Sequence, residues 1–366
     1  MAAPEKKLRI LHTEASVGWG GQEIRILTEA QYFQAKGHEV LIAANANSEI
    51  VANAPRYGVP AIALPLTHRT LPSILAVRRL LKSWRPDVIN PHSSVDSWLV
   101  ALARLGLDPR PRVVRTRHLS ADVPRNFASR WVYNRGADFI MTTGDAIVEA
   151  LSKDGFVPRS RLATVSTGVD ADIFKPGDQA AAREALDLPR DKYLFGSVAT
   201  LRSWKGHSFL LDALKLANNP RMQVVIVGDG PQQRNLERQI AALEISEQVT
   251  LVGRRNDVVP FMQAFDVFIL PSYANEGVPQ AILQAMACGV PVISCPVGGI
   301  PECTQGLASV TLVPPKDAVA LAAAMKTAIS TGADPADLAR ARDRVVADHS
   351  RDVMYRKALR YFSGDF

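Results

Sequence analysis

The residues best suited to chemistry lie in one stretch, Asn275-Glu276-Gly277-Val278-Pro279-Gln280, which runs into an apolar helical pattern ending at Cys288-Gly289. A carboxylate just before a glycine turn and a helix with proline near its first turn stands beside outward-pointing backbone N–H groups. Carboxylate oxygens accept hydrogen bonds from sugar hydroxyls, and a helix start favours an anion next to it. The pattern therefore suits a ligand that is part polyol and part anion. Gln284 follows eight residues after Glu276, about two turns along and near the same face.

Three glycine-rich turns follow apolar runs: Gly18-Trp19-Gly20-Gly21, Val227-Gly228-Asp229-Gly230-Pro231 and Gly298-Gly299-Ile300-Pro301-Glu302. Each can present bare N–H groups to phosphate at the start of a helix. The first lacks the spacing of a dinucleotide fingerprint. Two histidines, His92 in Asn90-Pro91-His92-Ser93-Ser94 and His118 after Val113–Thr116, occupy loops at strand ends. Asp170-Ala171-Asp172 has the spacing of a metal-binding pair but falls in a turn pattern, so no metal is expected. Cys288, Cys295 and Cys303, seven and eight apart with no histidine nearby, read as free buried thiols in a reducing cytosol.

The elements that must carry these residues alternate. Short apolar runs at Leu8–His12, Glu39–Ala43, Asp87–Asn90, Val113–Thr116, Phe139–Thr142 and Leu162–Val165 are predicted strands separated by helical stretches. The alternation restarts at Tyr193–Val198 and continues through Gln223–Val227, Val249–Val252, Val267–Leu270 and Val290–Ile293. Such a pattern builds mostly parallel sheets with helices on both faces. The expected fold class is α/β, with two Rossmann-like doubly wound domains facing a central cleft. Residues 1–175 form the expected first domain and 176–345 the second, with 346–366 a helix packing back toward the first. Gly168 to Lys192, rich in proline and glycine, reads as the connection.

At 366 residues the chain is too long for one core, and 47% hydrophobic with 22% charged residues excludes a disordered or fibrous protein. No apolar run is long enough to span a bilayer, and Met1–Lys7 leads into an apolar stretch too short for a secretory leader. A cytoplasmic protein is expected. Lys and Arg exceed Asp and Glu by six in residues 1–180 but by one in 181–366. Arg110, Arg112, Arg115, Arg117, Arg125, Arg130 and Arg135 face only Asp122 within their window. A predicted amphipathic helix, Leu71–Trp84, carries Arg78, Arg79 and Lys82, with Arg85 just beyond. Its apolar positions Leu71, Ile74, Leu75, Leu80 and Leu81 leave one basic face. Basic surfaces attract phosphorylated ligands or an anionic membrane. Without a recognition motif beside them, nucleic acid is not an expected partner.

Taken together these features resemble the retaining glycosyltransferases of GT-B architecture, family 4, also called glycosyl transferases group 1. The resemblance runs over nearly the whole chain: Gly20-Gly21, Thr167-Gly168-Val169-Asp170 before Phe174 and Pro176, Lys205-Gly206, Gly228-Asp229-Gly230, Val252-Gly253 and the Glu276 segment. It implies transfer of a sugar from a nucleoside-diphosphate sugar to a saccharide or lipid-linked acceptor, as in cell-surface polysaccharide or lipopolysaccharide assembly. It implies no cofactor.

By the same resemblance Glu276 binds the donor sugar's hydroxyls. Gly277, Val278, Pro279 and Gln280 present backbone groups to sugar and diphosphate, and Lys205 neutralises the departing diphosphate. His118 lies near the reacting centre, and Gly20 and Gly21 close over the donor phosphate. Arg202, Gly228, Arg254 and Gln284 complete the expected donor site; His92, Arg115 and Arg117 are assigned to the acceptor. Two positions depart from the family pattern: Gln284 replaces a glutamate thought to hold ribose, and Thr200 stands where an arginine is usual, leaving Arg202 as the nearby cation. Cations in place of a metal would stabilise the leaving group. A nucleotide-sugar epimerase or hydrolase of related fold, or a non-catalytic nucleotide-sugar-binding module, are the alternatives.

Overall fold

The computed structural model describes residues 6–366; Met1–Glu5, part of the leader reading, lie outside the described residues. The chain forms two compact units, one running to Gly168 and including Arg351–Phe366, the other Val169–Ser350.

Among the described residues of the first unit, seven strands form one parallel sheet: β1 (Arg9–Glu14), β2 (Glu39–Ala44), β3 (Ala61–Ala63), β4 (Val88–Pro91), β5 (Arg112–Arg117), β6 (Phe139–Thr142) and β7 (Leu162–Thr164). Their order is β3-β2-β1-β4-β5-β6-β7. Strands such as β2 and β6 are near-continuous apolar runs because helices cover both faces. Neighbouring residues alternate sides: Ile10, Ile42 and Val114 join one core cluster, while Leu11, Ala43 and Val113 join the other. The order reverses between β1 and β4, which opens a crevice at their carboxyl ends.

The second unit repeats the plan with β8 (Tyr193–Val198), β9 (Met222–Val227), β10 (Val249–Gly253), β11 (Val267–Leu270), β12 (Val292–Ser294) and β13 (Val310–Leu312), all parallel. The order β10-β9-β8-β11-β12-β13 reverses between β8 and β11. Phe195, Ile226 and Ile269 pack on one face and Leu194, Val225 and Phe268 on the other.

The structure differs from the sequence expectations at several places. The edge strands β3 and β13, three residues each, carry too short a pattern to register as strands. The first unit ends at Gly168 rather than 175, because Val169 N–H donates to His349 O at 2.8 Å and Arg342 holds the Ala171 and Phe174 carbonyls inside the second unit. The supposed connection is largely built into that unit. Its helix Gln179–Ala185 is capped by Asp178, and Arg183 pairs with Asp266 at 2.6 Å.

In the helix Leu71–Trp84 the buried positions are Ser73, Val77 and Leu81. Leu71 and Leu75 are 66% and 42% exposed, so the apolar stripe is rotated from the expected one. The last helix, Arg351–Ser363, lies in the first unit, where Met354, Tyr355, Ala358 and Phe362 share a core with Ile10 and Phe33. No helix of the described residues is long and apolar enough to cross a membrane.

Candidate active site

The carboxyl ends of β8 and β11 flank the order reversal of the second sheet, and the loops leaving them carry Lys205 and Glu276. Lys205 ends the short 3-10 turn Ser203–Lys205, whose N-cap is Arg202. Gly206 follows with φ +76°, and a Cβ there would collide with the carbonyl oxygen of Pro271, at the end of β11. Only glycine lets the two loops approach this closely. The approach places Lys205 Nζ 2.6 Å from Glu276 Oε1. The Glu276 side chain is 7% exposed and that of Lys205 17%. A carboxylate and an ammonium thus face each other beside the order reversal of the sheet, one able to accept from hydroxyls and the other able to neutralise phosphate.

Asn275, with φ +60°, turns the chain into Glu276. Gly298, at φ +58°, packs so closely that a Cβ would strike the Glu276 carbonyl oxygen, and Gly299 N–H donates to Gly277 O at 3.1 Å. The Gly298-Gly299 turn is therefore a brace for the Glu276 loop. Pro279 is the N-cap of the helix Gln280–Ala287, Val278 is buried in the core, and Gln284 on that helix is 8% exposed. Gly228 follows β9 and donates to Gly253 O at 2.9 Å, which leaves Arg254, half-buried, at the end of β10.

Arg202 is exposed, its guanidinium 5.7 Å from the Trp204 ring. It borders a cavity of about 240 Å³ also lined by Ser203, His207, Tyr273 and Lys316. Burial, and then the Lys205 charge, push His207 down to about 3, so this ring is neutral beside the lysine. Ser272, one residue after Pro271, is fully buried, and its Oγ has no hydrogen-bond partner. The sequence reading passed over it because a lone serine carries no spacing signal.

The order reversal of the first sheet gathers a second polar group. His12 lies on β1 opposite Asn90 of β4, His92 follows β4, and His118 follows β5. His92 Nδ1 is 2.9 Å from His118 Nε2, and His92 Nε2 is 3.0 Å from His12 Nδ1. The expected His92 and His118 therefore meet, with His12 a third member that the sequence reading missed. An isolated histidine inside a strand looks like core; its position beside two strand-end histidines emerges only from the sheet order.

Asp96 fixes this group. It accepts from His92 N–H at 3.0 Å, Thr13 Oγ1 at 2.8 Å and the Ser93 hydroxyl at 2.6 Å. Glu14 is buried nearby, accepting from Ser16 N–H at 2.6 Å and from Gln22. Burial and the Asp96 carboxylate push Glu14 up to about 8. Asp96 gathers more donors, so Glu14 is the member of the pair that holds the proton. Gly20 caps the first helix with an extended φ of 179°, and Gly21 begins it, so the expected glycine turn stands in the first unit near Glu14's partner Gln22.

Most of the arginine cluster serves the fold. Arg125 forks onto the Ala150 and Lys153 carbonyls at 2.7 Å each, Arg130 reaches Gly155 O and Arg112 donates to Phe362 O. Arg117 binds Tyr133 Oη at 3.2 Å and the Ala121 carbonyl. Arg115 is 3% exposed with its guanidinium 4.3 Å over the Tyr133 ring and Nε unpartnered. Mutual repulsion is relieved by carbonyl dipoles and a π face, a solution that charge counting alone does not reveal. The three cysteines are buried and free. Among the described residues, no group of three or more His, Cys, Asp or Glu is placed to hold a metal.

Comparison with known proteins agrees with this architecture. Residues 178–344 match the family profile described as Glycosyl transferases group 1, and residues 19–173 that of Glycosyltransferase Family 4. A D-inositol 3-phosphate glycosyltransferase of Mycolicibacterium paratuberculosis is 31% identical over 258 residues, 65% of this chain and 57% of that protein. Its counterpart in Mycobacterium tuberculosis is 32% identical over 197 residues, 52% of this chain and 40% of that one. The chain thus spans about half the length of these curated relatives.

Among solved structures, Anabaena HepE in complex with UDP and glucose superimposes with a TM-score of 0.87 at 20% identity, covering 98% of this chain and 100% of that one. A glycosyltransferase from Rickettsia africae gives 0.85 at 21% identity, covering 98% of each. These likenesses establish the fold as GT-B, two Rossmann-like α/β domains. With both halves matched by their respective profiles, the chain belongs to the glycosyl transferases of group 1, family 4.

Proposed function

We propose that the protein transfers a sugar, with retention of anomeric configuration, from a nucleoside-diphosphate sugar to a saccharide or lipid-linked acceptor. The observation that carries this reading is the Lys205–Glu276 pair at the order reversal of the second sheet. Glu276 accepts hydrogens from the donor sugar's hydroxyls. The bond between the anomeric carbon and the diphosphate oxygen breaks, and the acceptor hydroxyl bonds to that carbon from the same face. Its proton passes to the departing diphosphate. Lys205, with Arg202 beside the cavity, supplies positive charge where the leaving group becomes more negative.

On the first unit we assign His118 to a sugar hydroxyl near the reacting centre and Gly20 and Gly21 to the donor phosphate, positions that the resemblance implies; the expected acceptor contact of His92 is not kept, because its two ring nitrogens already face His118 and His12. Related proteins named as inositol-phosphate glycosyltransferases and a related structure holding UDP and glucose support this class of substrate, and make UDP-glucose the first donor to try. Assembly of a cell-surface glycan is the setting we favour, at the inner face of a membrane. The exposed Leu71 and Leu75 and the basic residues of their helix suit an anionic surface, and flotation with anionic against neutral liposomes at low salt tests that part.

The experiment for the function itself is a thermal-shift panel of nucleotide sugars followed by transfer assays. A true donor at ~100 times its dissociation constant adds about 2.7 kcal/mol to stability. A panel in which neither nucleotide sugars nor nucleoside diphosphates stabilise the protein contradicts the reading.

A further inference from the structure

The row His118–His92–His12 imposes an order on its hydrogens. Each link, 2.9 Å and 3.0 Å long, needs one hydrogen between its two nitrogens. Burial depresses the basicity of all three rings, so they are neutral near physiological pH. Three neutral imidazoles carry three hydrogens. Two occupy the links, and the third must sit at one end, on His118 Nδ1 or on His12 Nε2. A neutral ring donates through one nitrogen and accepts through the other, so both links point the same way. The tautomer of half-buried His118 is thereby tied to that of His12, which is 0% exposed.

The surroundings of His12 choose the direction. Its Nε2 is buried with no partner, and so is Glu29 Oε1 on the helix Gly21–Ala35. The Glu29 carboxylate, and then the side chain of Asn90 opposite His12 on β4, draw a hydrogen toward the His12 ring; Arg25, paired with Glu29 at 3.3 Å, opposes them with the smaller influence. His118 is faced by the positive charges of Arg25 and Arg117, which disfavour an added proton there. Asp96 anchors the His92 backbone and the neighbouring Thr13, so the row cannot easily shift.

We propose that His92 and His12 are positioning residues that hold His118 in one tautomer, with the hydrogen on Nε2 and a bare Nδ1 that accepts a hydrogen bond from a sugar hydroxyl. The sugar part of this inference rests on the function proposed above; the tautomer part does not.

The test is a long-range 1H–15N spectrum of the imidazoles in the full chain. The expected wild-type result is a pyridine-type Nδ1 and a pyrrole-type Nε2 on His118. His12→Phe and His92→Phe each break the row, and the His118 nitrogens should then move toward the averaged shifts of mixed tautomers. A pyrrole-type Nδ1 in the wild type, or unchanged His118 shifts in both variants, overturns the proposal. If one variant loses amide dispersion, the other and the wild-type spectrum still decide.

In transfer assays His12→Phe, remote from ligand, should lower kcat at least about tenfold, the direction expected for a wrongly held catalytic group, with donor KM changed less than about threefold. A kcat that does not fall overturns the positioning role. Wild-type turnover by His118→Ala would instead defeat the assignment of His118 to the sugar, and leave the tautomer result standing.

Discussion

Lys205 Nζ stands 2.6 Å from Glu276 Oε1, and this contact ties together the loops that leave β8 and β11 on the two sides of the sheet's order reversal. Removing one partner of a buried pair strands the other charge, at a cost of about 3–5 kcal/mol when both are fully enclosed. Lys205 keeps some access to water, so Lys205→Met and Glu276→Gln should each cost less, about 1–3 kcal/mol. The double variant should be more stable than the sum of the single losses predicts. Urea unfolding of the four proteins checks this, and strict additivity contradicts the pairing.

Glu14 makes stability fall with rising pH. Its ordinary value is 4.5 and its folded value is about 8, so between these the folded state holds a proton that the unfolded chain has released. The stabilising contribution is complete below 4.5 and is lost as pH rises through 8. The buried histidines act oppositely: His12, His92, His118 and His207 are lowered from 6.5, so their contribution is lost as pH falls below 6.5. Comparing wild type with Glu14→Gln from pH 5 to 8 isolates the carboxyl. The variant should gain on the wild type as pH rises, whereas parallel curves would place the proton elsewhere.

Gln284 offers a gain-of-affinity test. A neutral hydrogen bond contributes about 1 kcal/mol and one to a charged group about 1.5–3. If Gln284 accepts from a ribose hydroxyl, Gln284→Glu should tighten binding of a nucleoside diphosphate by about threefold or more. Weaker binding in a calorimetric titration would mean that the new charge is buried at 8% exposure without a hydroxyl to meet it.

Much of the fold was readable because buried parallel strands are written as apolar runs: Tyr193–Val198, Phe139–Thr142 and Val267–Leu270 have the bounds read from the sequence. Ala61–Ala63 and Val310–Leu312 did not stand out, since three residues at a sheet edge need little apolar surface. At the site, Glu276 was legible from its turn, proline and helix. Its partner was not legible as a partner, because Lys205 lies 71 residues away and only the meeting of β8 and β11 brings them together.

His12 was hidden for a similar reason: only the sheet order brings it beside His92, 80 residues away. The arginines misled in the other direction. Charge spacing suggested an anion site, while Arg125 and Arg112 are occupied by backbone carbonyls contributed by distant segments.

The most direct measurement is sugar transfer by Glu276→Ala and Lys205→Ala, each assayed with the donor found by thermal shift and repeated in the presence of a chelator. Loss of a single group that stabilises the transition state costs about 10²–10³-fold in kcat. The account predicts at least a ~10²-fold fall for each variant, and wild-type turnover that a chelator leaves unchanged. Variants that turn over at the wild-type rate, or a wild-type enzyme silenced by the chelator and restored by a divalent cation, would contradict it.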